Sequence, residues 1–307
     1  MLKPRALRSG DRVAVIAPAS PFDRAEFDEG IAELARLGFE PVFDDTVFAR
    51  RAYVAGDGAS RAAAFLRAWR DPSIAGVIAA RGGYGSVHIL PWLAPEEIRA
   101  APKPFIGYSD LTSVLTHLTI NCGLVCFHGP MLAGRLGRHD AGYDRRSFLS
   151  CLTKAEPLGE LHPAGLEVIK SGIAEGPLYG GTLTQLAASL GTPYAFDPPD
   201  RHVLFIEDVS ERPYRLDRML TQLRLGGVLG AVIAIIVGEL PRCDEPGGDP
   251  TARETIADVL SDFPGPVLFG FPSGHTAGPA ITLPLGVRVR VIADAHPHVV
   301  IEESAVA

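Results

Sequence analysis

The chain has 307 residues, 47% of them hydrophobic and 21% charged, with a formal net charge of −7; that length allows one large core or two domains of ordinary size. The acidic balance argues against a general nucleic-acid binder, which needs a basic surface facing phosphate. No apolar run approaches the roughly 20 residues needed to cross a bilayer, and the opening MLKPRALRSGDRVAVIAPASP lacks the layout of a secretory signal, so the expectation is a cytoplasmic protein without membrane partners.

Strand VAVIA (Val13 to Ala17) comes first in chain order. A helix over Phe27 to Leu37 follows, with Asp23 and Glu26 in capping-box spacing before it and Gly38 after it. Next are strand FEPVF (Phe39 to Phe43), a helix over Ser60 to Arg70 and strand GVIAA (Gly76 to Ala80). Strands alternating with helices predict βαβ units and a parallel sheet covered on both faces. In such sheets, reactive groups gather at the carboxyl ends of the strands. Ala17 to Pro21, Arg81 to Gly85 and Ser109 all fall there.

The loop RGGYGS (Arg81 to Ser86) has glycines that let backbone approach a ligand and leave N–H groups for an anion. It lacks the spacing of GxGxxG, and no P-loop lysine follows; an ordinary turn is the competing reading. In PFIGYSDLTSVLTHL an apolar strand stops at Gly107, Tyr108 and Ser109, and Leu111, Val114, Leu115 and Leu118 then recur at helical spacing toward Gly123. Ser109 is therefore either a helix cap or a nucleophile on a strand-to-helix elbow. The elbow pattern GxSxG is half met, since Leu111 replaces the second glycine.

Strand LVCFH (Leu124 to His128) follows. Residues 136–176 read as an irregular linker with a helical patch at Arg145 to Leu152, dividing residues 1–135 from 177–307. GPLYGGTLTQLAASLG reads as a glycine-rich turn, HVLFIEDV as a strand and RPYRLDRMLTQLRLGG as a helix. A strand at Gly230 to Gly238, a helix near Thr251 to Leu260, the apolar PVLFGF and a final strand pair in VRVRVIADAHPHVVIE complete the chain. Glu207 ends an apolar strand, where its carboxylate could orient an imidazole or pair with Arg212 or Arg215; Asp208 competes for the role. His275 sits in the glycine- and proline-rich FPSGHTAGP and has the ordinary pKa suited to proton transfer; its alternative is an exposed loop residue, as expected for His139, His162 and His296. Cys122, Cys126, Cys151 and Cys243 form no CxxC pair, so buried thiols are expected rather than a disulfide framework. The spacing shows neither HExxH nor a carboxylate ladder, so no metal and no cofactor are expected.

Taken in order, RGGYG, GYSD, FIEDV with YRLDRMLTQL, and FPSGHT resemble the LD-carboxypeptidases, or muramoyltetrapeptide carboxypeptidases, across essentially the whole chain. The resemblance implies an α/β fold: an N-terminal Rossmann-like or amidotransferase-like parallel-sheet domain joined to a smaller C-terminal α/β domain. It implies a serine peptidase whose triad maps to Ser109 (nucleophile), Glu207 (orienting acid) and His275 (general base). It further implies a cytoplasmic homodimer that releases terminal D-alanine from murein tetrapeptide during peptidoglycan recycling. To this the residue chemistry adds the backbone N–H groups of Asp110 and Gly83 as oxyanion donors, and Arg81, within the Arg81, Gly82, Tyr84 loop, as the group for a free carboxylate. Microcin C immunity peptidases resemble the same family and are the nearest alternative; a nonenzymatic small-ligand binding protein, with Ser109 only capping a helix, is the alternative of another class.

Overall fold

The computed structural model describes residues 1–199 and 201–307. In the first half the strands are β1 (Arg12–Ile16), β2 (Glu40–Val42), β3 (Ile74–Ala79), β4 (Phe105–Gly107) and β5 (Cys126–His128). The helices between them are α1 (Arg24–Arg36), α2 (Gly58–Arg70), α3 (Pro95–Ala100) and α4 (Thr112–Thr116). Asp23 caps α1 by accepting from the amides of Ala25 and Glu26, and Asp57 caps α2 through Ser60. These strands run parallel, in the spatial order β2-β1-β3-β4-β5. Strand order reverses between β1 and β3, and ligands of open α/β sheets bind outside such a switch point, at the carboxyl ends.

Beyond it lie α5 (Arg145–Thr153), β6 (Gly159–Leu161), β7 (Glu167–Lys170), β8 (Gly172–Thr182), α6 (Leu183–Ser189), β9 (His202–Glu207), α7 (Pro213–Leu225), β10 (Val232–Gly238), α8 (Ala252–Val259), β11 (Val267–Phe271), β12 (Leu283–Leu285), β13 (Arg288–Ala293) and β14 (His298–Ile301). Seven of these strands join β6 in an eight-stranded sheet, ordered β6-β14-β13-β8-β9-β10-β11-β7. Its centre, β8 to β11, is parallel and its flanks are antiparallel. The exception is β12, which crosses back and pairs antiparallel with β5, adding a sixth strand to the first sheet. One apolar core runs from the first sheet onto one face of the second; a separate cluster covers the other face beneath α6, α7 and α8.

Two expectations change. Residues 136–176, read as a linker, contain α5, β6 and β7, and their buried Leu136, Tyr143, Phe148 and Leu152 belong to the main core. Polar bonds fasten the segment to α1: the Tyr143 hydroxyl and His139 Nδ1 (2.7 Å) both reach the buried Glu33 carboxylate, which Arg36 of the same helix also holds (2.6 and 2.8 Å). Frequent glycine and proline masked the short strands. The glycine-rich stretch beginning at Gly176 is the end of strand β8 followed by α6, not a turn. Its glycines mark close backbone approach: a Cβ on Gly180 (φ +137°) would overlap the Phe205 carbonyl oxygen, and one on Gly181 (φ +148°) would strike Thr112.

Gly180→Ala should accordingly destabilise the fold severely, by more than about 4 kcal/mol, because the clash is with backbone of the adjoining strand and cannot be relieved by a rotamer change. A thermal or urea melt within about 1 kcal/mol of wild type would show that β8 and β9 do not pack this closely.

Candidate active site

Ser109 follows β4 with φ +64°. A non-glycine residue in the left-handed region is strained, and such strain persists where surrounding structure over-determines it. Here β4 stops at Gly107 and a helical run covering 109–121 begins at once, changing from 3₁₀ through α to π geometry. The cap position is Tyr108 and that turn has no side-chain capping bond, so Ser109 is not spent as a helix cap. The elbow read from sequence is present. Without the second glycine of GxSxG, room comes from Gly82: a Cβ there would lie 3.1 Å from Ser109 Cβ and 3.4 Å from the Asp110 nitrogen.

The loops at the carboxyl ends of β1 and β3 are tied into one rim. The Ser20 amide donates to the Gly82 carbonyl (3.1 Å), the Tyr84 amide donates to Ser20 Oγ (3.0 Å), and Ser20 Oγ donates to the Tyr53 carbonyl (2.8 Å). Buried Arg61 clamps the same loops, bonding the carbonyls of Pro18, Gly85 (2.7 Å) and Gly56 (3.2 Å). Asp110 points its side chain inward, its Oδ2 accepting from the Ser86 amide (2.8 Å) while its carbonyl accepts from Ser86 Oγ (2.5 Å). The acid of GYSD thus fixes the RGGYGS loop against the elbow, a role its sequence position did not disclose. Gly82 faces Ser109, whereas Gly83 (φ +95°) faces Ser20. Arg81 is exposed, its Nη1 3.3 Å from the Pro21 carbonyl, and Tyr84 is exposed with its ring edge-on to Tyr53 and His88.

Glu207 and His275 meet directly although far apart in sequence. His275 Nδ1 lies 2.7 Å from Glu207 Oε2, and the His275 amide donates to the same oxygen at 2.8 Å. The other oxygen, Oε1, accepts from the Thr182 hydroxyl, while Thr182's amide donates to Thr112 Oγ1 at 3.0 Å. A chain of bonds therefore runs from the helix behind Ser109 through Thr182 to the Glu207–His275 pair. The His275 ring packs edge-on against Tyr108 at 5.0 Å between centroids, one residue from Ser109. Arg135 pins the His275 loop by donating to the carbonyls of Thr276 (2.5 Å) and Gly278 (2.9 Å).

The competition between the adjacent acids is resolved by direction. Asp208 turns away to bind the Thr184 amide and hydroxyl (2.9 and 2.8 Å) at the start of α6. Arg212 pairs instead with Glu245 and Arg215 with Glu211. Burial by itself would raise the Glu207 pKa, but the bonds from His275 and Thr182 overcome it and hold the carboxyl at about 2. Asp208 is pushed up to about 6 by burial and by Glu207's charge. Tyr108 is likewise raised by burial.

Sequence reasoning missed His128. It is fully buried at the end of β5, with Nδ1 3.2 Å from Ser273 Oγ and Nε2 3.9 Å from Glu207 Oε1. Burial lowers it to about 4, so it stands neutral beside the glutamate near pH 7. Its only sequence signal was a polar residue ending an apolar strand, the signal Glu207 also gave. The four cysteines are all buried and unpaired, as expected.

Models of the LD-carboxypeptidase N-terminal domain and C-terminal domain match residues 13–129 and 175–291. The chain belongs to the LD-carboxypeptidase family of serine peptidases. A probable murein peptide carboxypeptidase of Bacillus subtilis (strain 168) is 38% identical over 302 residues, spanning 93% of this chain and 90% of the relative. The solved structure of the microcin C7 self-immunity protein MccF with aspartyl sulfamoyl adenosine superposes with a TM-score of 0.90 at 28% identity, covering 100% of both chains. The muramoyltetrapeptide carboxypeptidase of Oxalobacter formigenes superposes at 0.82 with 29% identity, covering 94% of this chain and 98% of that one. No helix among the described residues is long and apolar enough to cross a membrane.

Two outcomes test this geometry. Gly274 has φ +73°, and a Cβ there would come within 2.7 Å of Glu207 Oε2 and 2.8 Å of His128 Cε1; Gly274→Ala should displace the glutamate and lower kcat by at least about 100-fold, and a near-wild-type kcat would show the packing to be looser. The second is stability against pH. Between pH 6.5 and about 4 the unfolded chain protonates a histidine that folded His128 keeps neutral, so His128 subtracts stability on acidification. Asp208, protonated first in the folded state below about 6, acts in the opposite sense. Urea unfolding in pH steps should therefore show His128→Gln losing less stability than wild type between pH 6.5 and 4; parallel curves would mean that His128 is not held neutral.

Proposed function

We propose that the chain is a serine LD-carboxypeptidase that releases the terminal D-alanine of murein tetrapeptide, with Ser109 as nucleophile, His275 as general base and Glu207 as the acid that orients it. The observation that carries this reading is the 2.7 Å bond from His275 to the buried Glu207, with the His275 ring packed on Tyr108, the residue next to the strained Ser109. Nδ1 of the imidazole, tied to an ionised carboxylate, keeps its proton, so Nε2 is the nitrogen that can accept one. His275 takes the Ser109 proton as oxygen attacks the carbonyl carbon, then returns it to the leaving amine; water repeats the sequence on the acyl-enzyme. The amide of Asp110 lies in the first turn of the helical run, where backbone N–H groups lack intrahelical acceptors. It serves as one oxyanion donor and Gly83 as the second, while Gly82 leaves space for the carbonyl between them. Arg81 takes the free carboxylate of the departing residue, with Gly82 and Tyr84 lining the approach.

The relatives named for murein peptides support this substrate. The high structural similarity to MccF favours a second reading, cleavage of an acylated aminoacyl nucleotide. Against it, Trp69 is wholly buried with its indole N–H on the Ile98 carbonyl and has no face free to stack a base; Trp92 is exposed, with its ring edge beside Gly58 at the start of α2. Action in the cytoplasm as a homodimer belongs to the first reading, and sedimentation of the full chain tests the dimer.

Side-by-side assays of D-alanine release from tetrapeptide and of cleavage of an aminoacyl sulfamoyl adenosine decide between the two. The first should exceed the second in kcat/KM, and the reverse order would transfer the chain to the MccF reading. Ser109→Ala should keep its fold and lose roughly 10⁴- to 10⁶-fold in kcat; undiminished turnover would remove Ser109 from the mechanism. Arg81→Ala should lower kcat/KM about 10- to 100-fold on tetrapeptide. It should do little to a C-terminally amidated peptide, whereas equal losses on both would assign Arg81 another role.

A further inference from the structure

A second group of chemistry-bearing side chains lies on the outer edge of the eight-stranded sheet, three strands removed from β9 in the order β6-β14-β13-β8-β9. Val299 of β14 pairs with Leu161 of β6 in antiparallel register. That register sets His298 opposite His162, and Glu160, two residues from His162, projects on the same face. The two imidazole rings stack with centroids 4.5 Å apart and planes 24° from parallel. His162 Nε2 lies 2.9 Å from Glu160 Oε2. One ligand atom from each of the three residues lies within 4.8 Å of the others.

We propose that Glu160, His162 and His298 form a surface site for a borderline divalent transition ion, Zn²⁺ above all. Two imidazoles and a carboxylate are the donor set such ions select, whereas Mg²⁺ and Ca²⁺ want oxygen alone. Three protein donors leave a fourth, tetrahedral position for water. The outer partner is already in place: His298 Nδ1 lies 2.8 Å from the His296 carbonyl oxygen. A carbonyl only accepts, so Nδ1 carries the proton and Nε2 keeps its lone pair for the ion. At His162 the ion replaces the proton now shared with Glu160, and the ring coordinates through Nε2 as the neutral Nδ1–H form. Glu160 and His162 have side chains 64% and 54% exposed, so an ion can enter from solvent. The absence of metal spacing in the sequence did not reveal this group, because its members come from two strands that meet only through sheet register. Bound there, the ion cross-links the three-residue edge strand β6 to β14.

The test uses tag-free full-length protein, with Zn²⁺ binding followed by calorimetry, Co²⁺ binding by visible absorption, and Tm measured with and without Zn²⁺. Wild type should bind one equivalent at this site, show the intense bands of tetrahedral Co²⁺, and gain Tm with Zn²⁺. His162→Ala and His298→Ala should each weaken that binding by at least about tenfold and abolish the Tm gain, while leaving peptide hydrolysis unchanged. His296→Ala, which keeps the carbonyl, should behave as wild type. Lack of saturable Zn²⁺ binding, full affinity in either of the first two variants, or loss in His296→Ala alone overturns the proposal.

Discussion

A carboxylate with no access to water is the constraint around which this molecule is arranged. Glu207 lies at the end of a buried central strand, and an ionised group there is tolerated only if hydrogen bonds replace its hydration. The replacements come from three directions: Thr182 on the neighbouring strand, and both the amide and the imidazole of His275 on a distant loop. Each donor is useful to the carboxylate only if its own element is in register. Satisfying one buried charge therefore fixes the relative placement of β8, β9 and the loop after β11.

The same requirement explains the glycines around the site. Gly274 and Gly238 each leave room that a Cβ would take from Glu207, and Gly181 lets β8 approach Thr112 on the helix behind Ser109. Close approach, rather than flexibility, is what these positions supply. His128 and Asp208 complete the surroundings in opposite ways, one a buried base kept neutral, the other an acid raised by its ionised neighbour. Burial keeps His128 neutral against the pull of Glu207's charge, while burial and that same charge make Asp208 harder to ionise than Glu207.

Much of this was legible in the sequence because it followed local rules. Apolar runs alternating with helical spacing gave β1 to β5 with bounds shifted by a residue or two, and the abrupt stop at Gly107 gave the elbow. Glu207 was legible as a polar residue ending an apolar strand. What stayed hidden depends on contacts between distant segments. Strand β8 looked like a turn because the glycines that permit its close packing are the residues that usually break strands. The segment holding α5, β6 and β7 looked like a linker because its strands are too short to show a period. His128 and the Asp110 side chain acquire their roles only from neighbours that no spacing rule specifies.

Strand β12 has a consequence for how the chain reaches this state. The edge of the first sheet at β5 is closed by residues 283–285, which leave the ribosome after every other strand of both sheets except β13 and β14. During synthesis the first sheet must wait with β5 unsealed, a template open to wrong partners. The half that carries Ser109 and the half that carries Glu207 and His275 are thus joined by topology as well as by the site, and cutting between them would leave β5 an open edge and β12 without its partner.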